Sequence, residues 1–244
     1  MSQATERHEM TKKQLSVIAE QEDGASMNRE KAHGERSRKP AGEPGAPRRS
    51  GSDTRREIVE QALQLFSVKG YHHTSINDLL DATGLTKGGL YGHFASKEEI
   101  WTAAYERAVG IWRGIVFRET KDIANPLLRI QRVIEQDLRD YVGGRVFAGG
   151  CFFLNHLVEL SGQSPALASR ILRGFDGFAG LLARWLAEAQ QKRMLESEVD
   201  PREIADFIVV ALNGAAALFA ARQKPEPLEL TILQLRCYVG SWST

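Results

Sequence analysis

Cysteine is scarce in this sequence, and the two present form no site. Cys151 and Cys237 are not in C-x-x-C spacing and have no cluster of His or Cys at zinc-ligand spacing around them, so neither a disulfide framework nor a structural metal is expected. An excess of charge of one sign is also lacking. Against 31 Asp and Glu stand 32 Lys and Arg, a formal net charge of +1, so any binding to DNA must rest on locally placed groups. Residues 1–20 carry no apolar run, only the scattered Leu15, Val17 and Ile18; no signal peptide is visible, and the expected compartment is the cytoplasm. The most apolar stretch, 204–221, contains Asp206 and Asn213, which fit a buried helix better than a lipid-facing one. The catalytic patterns G-x-S-x-G and H-E-x-x-H and a phosphate-binding Gly loop are missing too. Asp137, Glu159 and His156 lie on helices that could approach one another, but their spacing does not compel it. No enzyme and no cofactor is expected.

Residues 1–53 lack apolar periodicity and end in the Pro/Gly/Arg-rich KPAGEPGAPRRSGS, so they read as a disordered tail that cannot bury enough surface to offset chain entropy. Its last part is basic, with Arg36, Arg38, Lys39, Arg48 and Arg49. It is either an arm that follows a DNA groove or a solvated linker, and Met27 is an alternative start. From Thr54 the pattern is helical. Ile58, Ala62, Leu65 and Phe66 share one face, Thr54-x-x-Glu57 is a capping box, and Gly70 is a stop. Ser75-x-x-Asp78 opens a second helix that stops at Thr83-Gly84, a third runs from about Thr86 to Phe94, and Ser96-x-x-Glu99 starts a longer fourth. Beyond it, helices are expected at about 126–142, 151–161, 165–192, 201–223 and 227–242, separated by Pro and Gly. No convincing strand alternation occurs. The fold class is therefore all-α: a module of short helices at 54–101, with a helix-turn-helix, followed by a longer helical domain at 102–244.

Three short capped helices with a Gly-containing turn between the second and third let one helix cross the phosphate backbone while the next enters the major groove. On the third helix Thr86, Lys87, Gly89, Tyr91 and His93 offer polar groups, while Leu90 and Phe94, four apart, anchor it to the core. Gly88 and Gly89 together cost helix propensity, about 1 kcal/mol each; close approach of the backbone to DNA, or a tight turn entry, accounts for them. His72 and His73 lack carboxylate or thiol company and read as solvent-exposed rather than as a metal pair.

The run HHTSINDLLDATGLTKGGLYGHFASKEEIW, with its L-Y-x-H-F-x-S-K-E core, resembles the DNA-binding signature of the TetR family of transcriptional regulators (the TetR/AcrR type). The likeness spans Thr54 to Trp101. It implies a homodimeric regulator on double-stranded DNA with a near-palindromic operator, commonly a repressor released by a small-molecule effector. By position, Thr86, Lys87, Tyr91 and His93 would touch bases and backbone, Lys97 would contact phosphate, and Thr74 and Ser75 would meet phosphate at the N-terminus of the second helix or serve only as caps. Acids match bases within this module, so the basic arm and dimerisation are expected to add to affinity, which should fall with salt.

Two apolar stripes suit a four-helix dimer interface: Ile204, Ile208, Ala211, Ala215 and Leu218, and Ile232, Leu235, Val239 and Trp242, with Leu228 beside the second stripe. The alternative is packing within one chain. For a ligand pocket the candidates are Trp112, Phe117, Phe152, Phe153, His156, Phe175, Phe178 and Trp185, which suit an apolar or aromatic effector. Cys151, opening a helix after Gly149-Gly150, is either a thiol activated by the helix dipole as a redox sensor or a small buried hydrophobe.

Overall fold

The computed structural model describes residues 51–243; the readings made for the N-terminal tail, its basic residues and the alternative start at Met27 lie outside the described residues. Every regular element among the described residues is helical. In chain order they are α1 (Gly51–Lys69), α2 (Ile76–Thr83), α3 (Lys87–Tyr91), α4 (Lys97–Val116), α5 (Pro126–Glu135), a π-helical segment (Gln136–Val142), α6 (Phe152–Leu160), α7 (Pro165–Gln191), α8 (Pro201–Arg222) and α9 (Glu226–Gly240).

Local sequence explains most of these boundaries. Ser75 caps α2 in a complete capping box with Asp78, and Ser96 caps α4 by accepting from the Glu99 N–H. Asn125 and Asp200 cap α5 and α8, each followed by a proline whose fixed φ suits the first turn. Thr54 does not cap α1. That helix is already formed at Gly51, so the expected box at Thr54 lies inside it, where backbone N–H groups have helical partners.

The core of the first module is made where α1 packs on α4. Ile58, Ala62, Leu63 and Phe66 meet Ile100, Trp101 and Ala104, and Leu79, Leu90 and Phe94 close the cluster from α2, α3 and the turn after it. Truncating a buried Phe or Trp of this kind costs about 3–5 kcal/mol, so this cluster fixes how α2 and α3 are held. The second half is a layered bundle in which α7 lies against α5, α6 and α8, and α9 lies against α8. α4 runs through both halves, since its later part packs on the π-helical segment.

α8 is long and apolar enough to cross a bilayer, and the reason is that it has two apolar faces. One, with Ile204, Ile208, Leu212 and Ala215, is buried within the chain; the other carries Phe207, Val210 and Leu218, which are 48–67% exposed. This corrects the interface expected from sequence. Ile204, Ile208, Ala215, Ile232, Leu235 and Val239 are at most 4% exposed in the single chain and belong to its own core. Ala211 and Trp242 are half-buried, and only Leu218 stands open. A helical period marks an apolar stripe but not which neighbour covers it.

Candidate functional site

The turn between α2 and α3 is set by Gly84, whose φ of +66° is the left-handed conformation and whose N–H returns to the Leu80 carbonyl. Thr86 then caps α3 by accepting from the Gly89 N–H. Leu90 and Phe94 are buried, which pins one side of α3 and turns the other outward. On that outer side Thr86, Lys87, Gly88 and Tyr91 are exposed, and Gly89 and His93 are half-buried. Among the described residues, and apart from its chain neighbours and the helix's own backbone, no atom lies within 4 Å of where a Cβ on Gly88 would stand, so their packing does not require glycine there.

Two of the residues assigned to phosphate by position turn inward. Thr74 is fully buried and donates its hydroxyl to the Gly70 carbonyl at 2.6 Å. Lys97 donates to the carbonyls of Tyr71 and Thr74 at 2.7 and 2.8 Å, and its ammonium lies 4.3 Å from the centre of the Tyr71 ring. Burial lowers its pKa, opposed by Glu159 and Asp78. Both residues tie down the 70–74 turn, Thr74 with its hydroxyl fully buried and Lys97 from a half-buried position. Ser75 remains exposed at the start of α2 with its hydroxyl paired to Asp78. His72 and His73 are exposed.

The 70–74 turn has a second anchor that sequence reasoning missed. The Glu159 carboxylate, near the end of α6, accepts from the Tyr71 and His72 backbone N–H groups at 2.9 and 2.7 Å. One turn earlier on α6, the His156 ring lies 5.9 Å from that of Trp101 in the core of the first module. His156 is buried, its Nδ1 is 2.8 Å from the Phe152 carbonyl, and burial lowers its pKa. Glu159 and His156 thus have different partners, and Asp137 has a third, the Trp112 N–H. Charge-assisted hydrogen bonds contribute about 1.5–3 kcal/mol, and Glu159→Ala is expected to lower stability by an amount of that order, measured by urea unfolding at fixed protein concentration.

In the second half a cavity of about 270 Å³ opens among α4, the π-helical segment, α6, α7 and α8. Of the residues expected in a pocket, Trp112, Phe153, Phe175 and Phe178 line it, and so does Cys151. Phe117, Phe152, His156 and Trp185 do not. Phe117 packs on Trp112, Phe178 and Trp185, and Phe152 stacks on His156 at 4.0 Å. The lining groups that the sequence did not single out for the pocket include Tyr105, Asp137, Tyr141 and Asn213. A π-helical segment rotates side chains relative to an α-helix and is frequent at functional sites; here it brings Asp137, Tyr141 and Val142 onto the same wall.

Asp137 is 8% exposed, and its Oδ1 accepts from Trp112 Nε1 at 2.7 Å. Burial pushes its carboxyl up to about 6, against a smaller lowering by the Trp112 hydrogen bond. Burial also pushes Cys151 up to about 11 and raises Tyr105 and Tyr141. A dipole-activated thiol at Cys151 is therefore corrected: desolvation outweighs the helix start, and the protonated thiol is a small packed group. Because the folded pKa of Asp137 lies above the unfolded value of about 3.9, its favourable contribution is complete below pH 4 and disappears as pH rises through 6. Asp137→Asn is expected to be more stable than wild type at pH 7.5. It should also lack roughly 1.4 kcal/mol of the fall in stability that wild type shows between pH 5 and 7.5, a difference of about one pKa unit's worth, read by urea unfolding at the two pH values.

A rigid helix-turn-helix with an exposed polar face, joined to a helical bundle that encloses an aromatic cavity, defines a DNA-binding transcriptional regulator with a separate ligand-sized site. The comparisons specify the family. Residues 58–104 match the model of bacterial regulatory proteins of the tetR family, and residues 126–235 match the model of the tetracyclin repressor-like C-terminal domain. The HTH-type transcriptional repressor DhaR of Mycobacterium sp. (strain GP1) is 25% identical over 175 residues, covering 72% of this chain and 86% of that protein. The A-factor receptor protein of Streptomyces griseus is 30% identical over 165 residues, 66% of this chain and 53% of that protein. A TetR transcriptional regulator from Chloroflexus aurantiacus superposes with a TM-score of 0.74 at 29% identity, covering 79% of this chain and 97% of that one. The chain belongs to the TetR family of transcriptional regulators.

Proposed function

We propose that the protein is a cytoplasmic, homodimeric repressor that holds a near-palindromic operator and releases it when a small molecule enters the cavity. The observation that carries this reading is the course of α6. Phe153, in its first turn, walls the cavity, and Glu159, in its last, holds the turn that precedes α2. A ligand that shifts α6 would change where α2 and α3 sit on each half-site, and by linkage DNA would oppose the ligand equally. Thr86, Lys87, Gly89, Tyr91 and His93 meet base edges and backbone, and Ser75 meets phosphate. The similarity to a receptor protein, the A-factor receptor of Streptomyces griseus, supports a ligand-responsive role.

The dimer forms through the outer faces of α8 and α9, where Phe207, Val210, Leu218, Leu230 and Leu233 are 48–67% exposed. Gly214, whose missing side chain would meet no neighbouring element among the described residues within 4 Å, lets a second helix approach closely. Residues 54–101 act as the DNA-binding unit and 102–244 as the effector and dimerisation unit. The test is a gel shift of a selected genomic fragment across a salt series. Two chains per site and an affinity that falls steeply with salt are expected. A screen of small molecules against the complex should then find release by compounds that also perturb Trp112 fluorescence. One chain per site, or release only by compounds that leave Trp112 unperturbed, would count against the reading.

A further inference from the structure

We infer that the cavity takes an organic cation, an amine or quaternary ammonium head on an apolar or aromatic body, with the charge held against Asp137 inside a wall of Trp112, Tyr105, Tyr141, Phe153 and Phe178. This rests on the proposal that the cavity is the effector site and names the class of effector. Among the described residues, no Lys, Arg or His lines the cavity. Glu106, at its rim, is paired with Arg170, which leaves Asp137 as the one unpaired ionisable acid facing inward among the described residues. Its hydrogen-bond partner is the neutral Trp112 N–H, so no described residue supplies a counter-ion. A neutral ligand leaves that carboxylate uncompensated in an apolar site, and an anion meets it as a like charge. A cation satisfies it, and aromatic rings add attraction through their electron-rich faces. The volume, about 270 Å³, exceeds the roughly 150 Å³ that accommodates benzene, which leaves room for a ring and a substituted ammonium group.

The test uses the full chain without DNA, two probes of one shape, phenyltrimethylammonium and tert-butylbenzene, and an anion built on the same tert-butylphenyl body, 4-tert-butylbenzoate, with binding read by calorimetry and by Trp fluorescence. The cation should bind at least about tenfold more tightly than the neutral isostere, an advantage of one decade or about 1.4 kcal/mol, and the anion weakest. Asp137→Asn should erase the cation's advantage and leave tert-butylbenzene unchanged. In wild type, the affinity for phenyltrimethylammonium, which does not itself titrate, should fall about tenfold between pH 7.5 and pH 5 as the Asp137 carboxyl, with its pKa near 6, takes up a proton. Tyr105, Tyr141 and Cys151, the other titratable groups on the wall, are shifted upward and stay protonated across that range.

Equal binding of the cation and the neutral isostere, an unchanged cation affinity in Asp137→Asn, or no binding of the cation would overturn the inference. A gel shift with the same probes separates it from the effector reading. A cation that binds in the Asp137-dependent way without releasing DNA would sink ligand release and keep the ligand class. Release by uncharged compounds alone would do the reverse.

Discussion

Replacing Tyr91 by Ala is expected to abolish specific operator binding while leaving the fold and the dimer intact. Tyr91 is 41% exposed on the outer side of α3, whereas its neighbour Leu90 is fully buried; truncation removes a contact without opening a cavity. A direct base contact discriminates by about 1–3 kcal/mol, and a dimer makes it twice, so a loss of roughly two decades or more in affinity for the operator follows. Binding to unrelated DNA, which rests on phosphate contacts, should change far less. Lys87→Ala, on the same face, should weaken binding and also shallow the salt dependence. The measurement is a competition gel shift with operator and nonspecific DNA, accompanied by thermal melting. A melting temperature that collapses with Tyr91→Ala would mean that the side chain packs the module rather than reading DNA.

Val210→Asp is expected to yield a folded monomer with operator affinity lowered about 100-fold, because the second half-site then loses its tether. Val210 is 67% exposed on the outer face of α8, so the single chain accepts the charge, but a desolvated interface would hold it unpaired at a cost of several kcal/mol. Ile208→Asp, two residues away, should instead unfold the chain, since Ile208 is fully buried within it. Sedimentation of the two variants distinguishes the faces. A dimer that survives Val210→Asp would place the interface elsewhere.

What the sequence revealed follows the range of the interactions. The helix-turn-helix was legible because its signals are short-range. The Ser75 box, the left-handed Gly84 and the Leu90–Phe94 pair each act within a few residues, and the structure places all of them as expected. The intrachain partners of Thr74 and Lys97 were not legible, because no spacing announces that Thr74 is buried on the Gly70 carbonyl or that Lys97 reaches back to the 70–74 turn. The aromatic candidates were divided by tertiary contacts: Phe153 and Phe178 face the cavity, while Phe117 and Trp185 pack behind it. Asp137 and Tyr141 went unnoticed as lining groups because the 126–142 stretch was read as one α-helix, and the π-helical turn that gathers them leaves no periodic trace. On α8, two apolar stripes competed for one assignment, and the stripe with the better period belongs to the chain's own core.

The central claim is that two copies of this chain read a symmetric DNA site. Its most direct test is selection of genomic fragments by the purified full-length protein at low salt, followed by footprinting of the enriched sequence. The expected result is an inverted repeat whose half-sites are spaced for recognition helices about 34–36 Å apart or a multiple of that, with protection lost when Tyr91→Ala replaces wild type. Enrichment of no common sequence, or of an asymmetric single site protected equally by the variant, would contradict it.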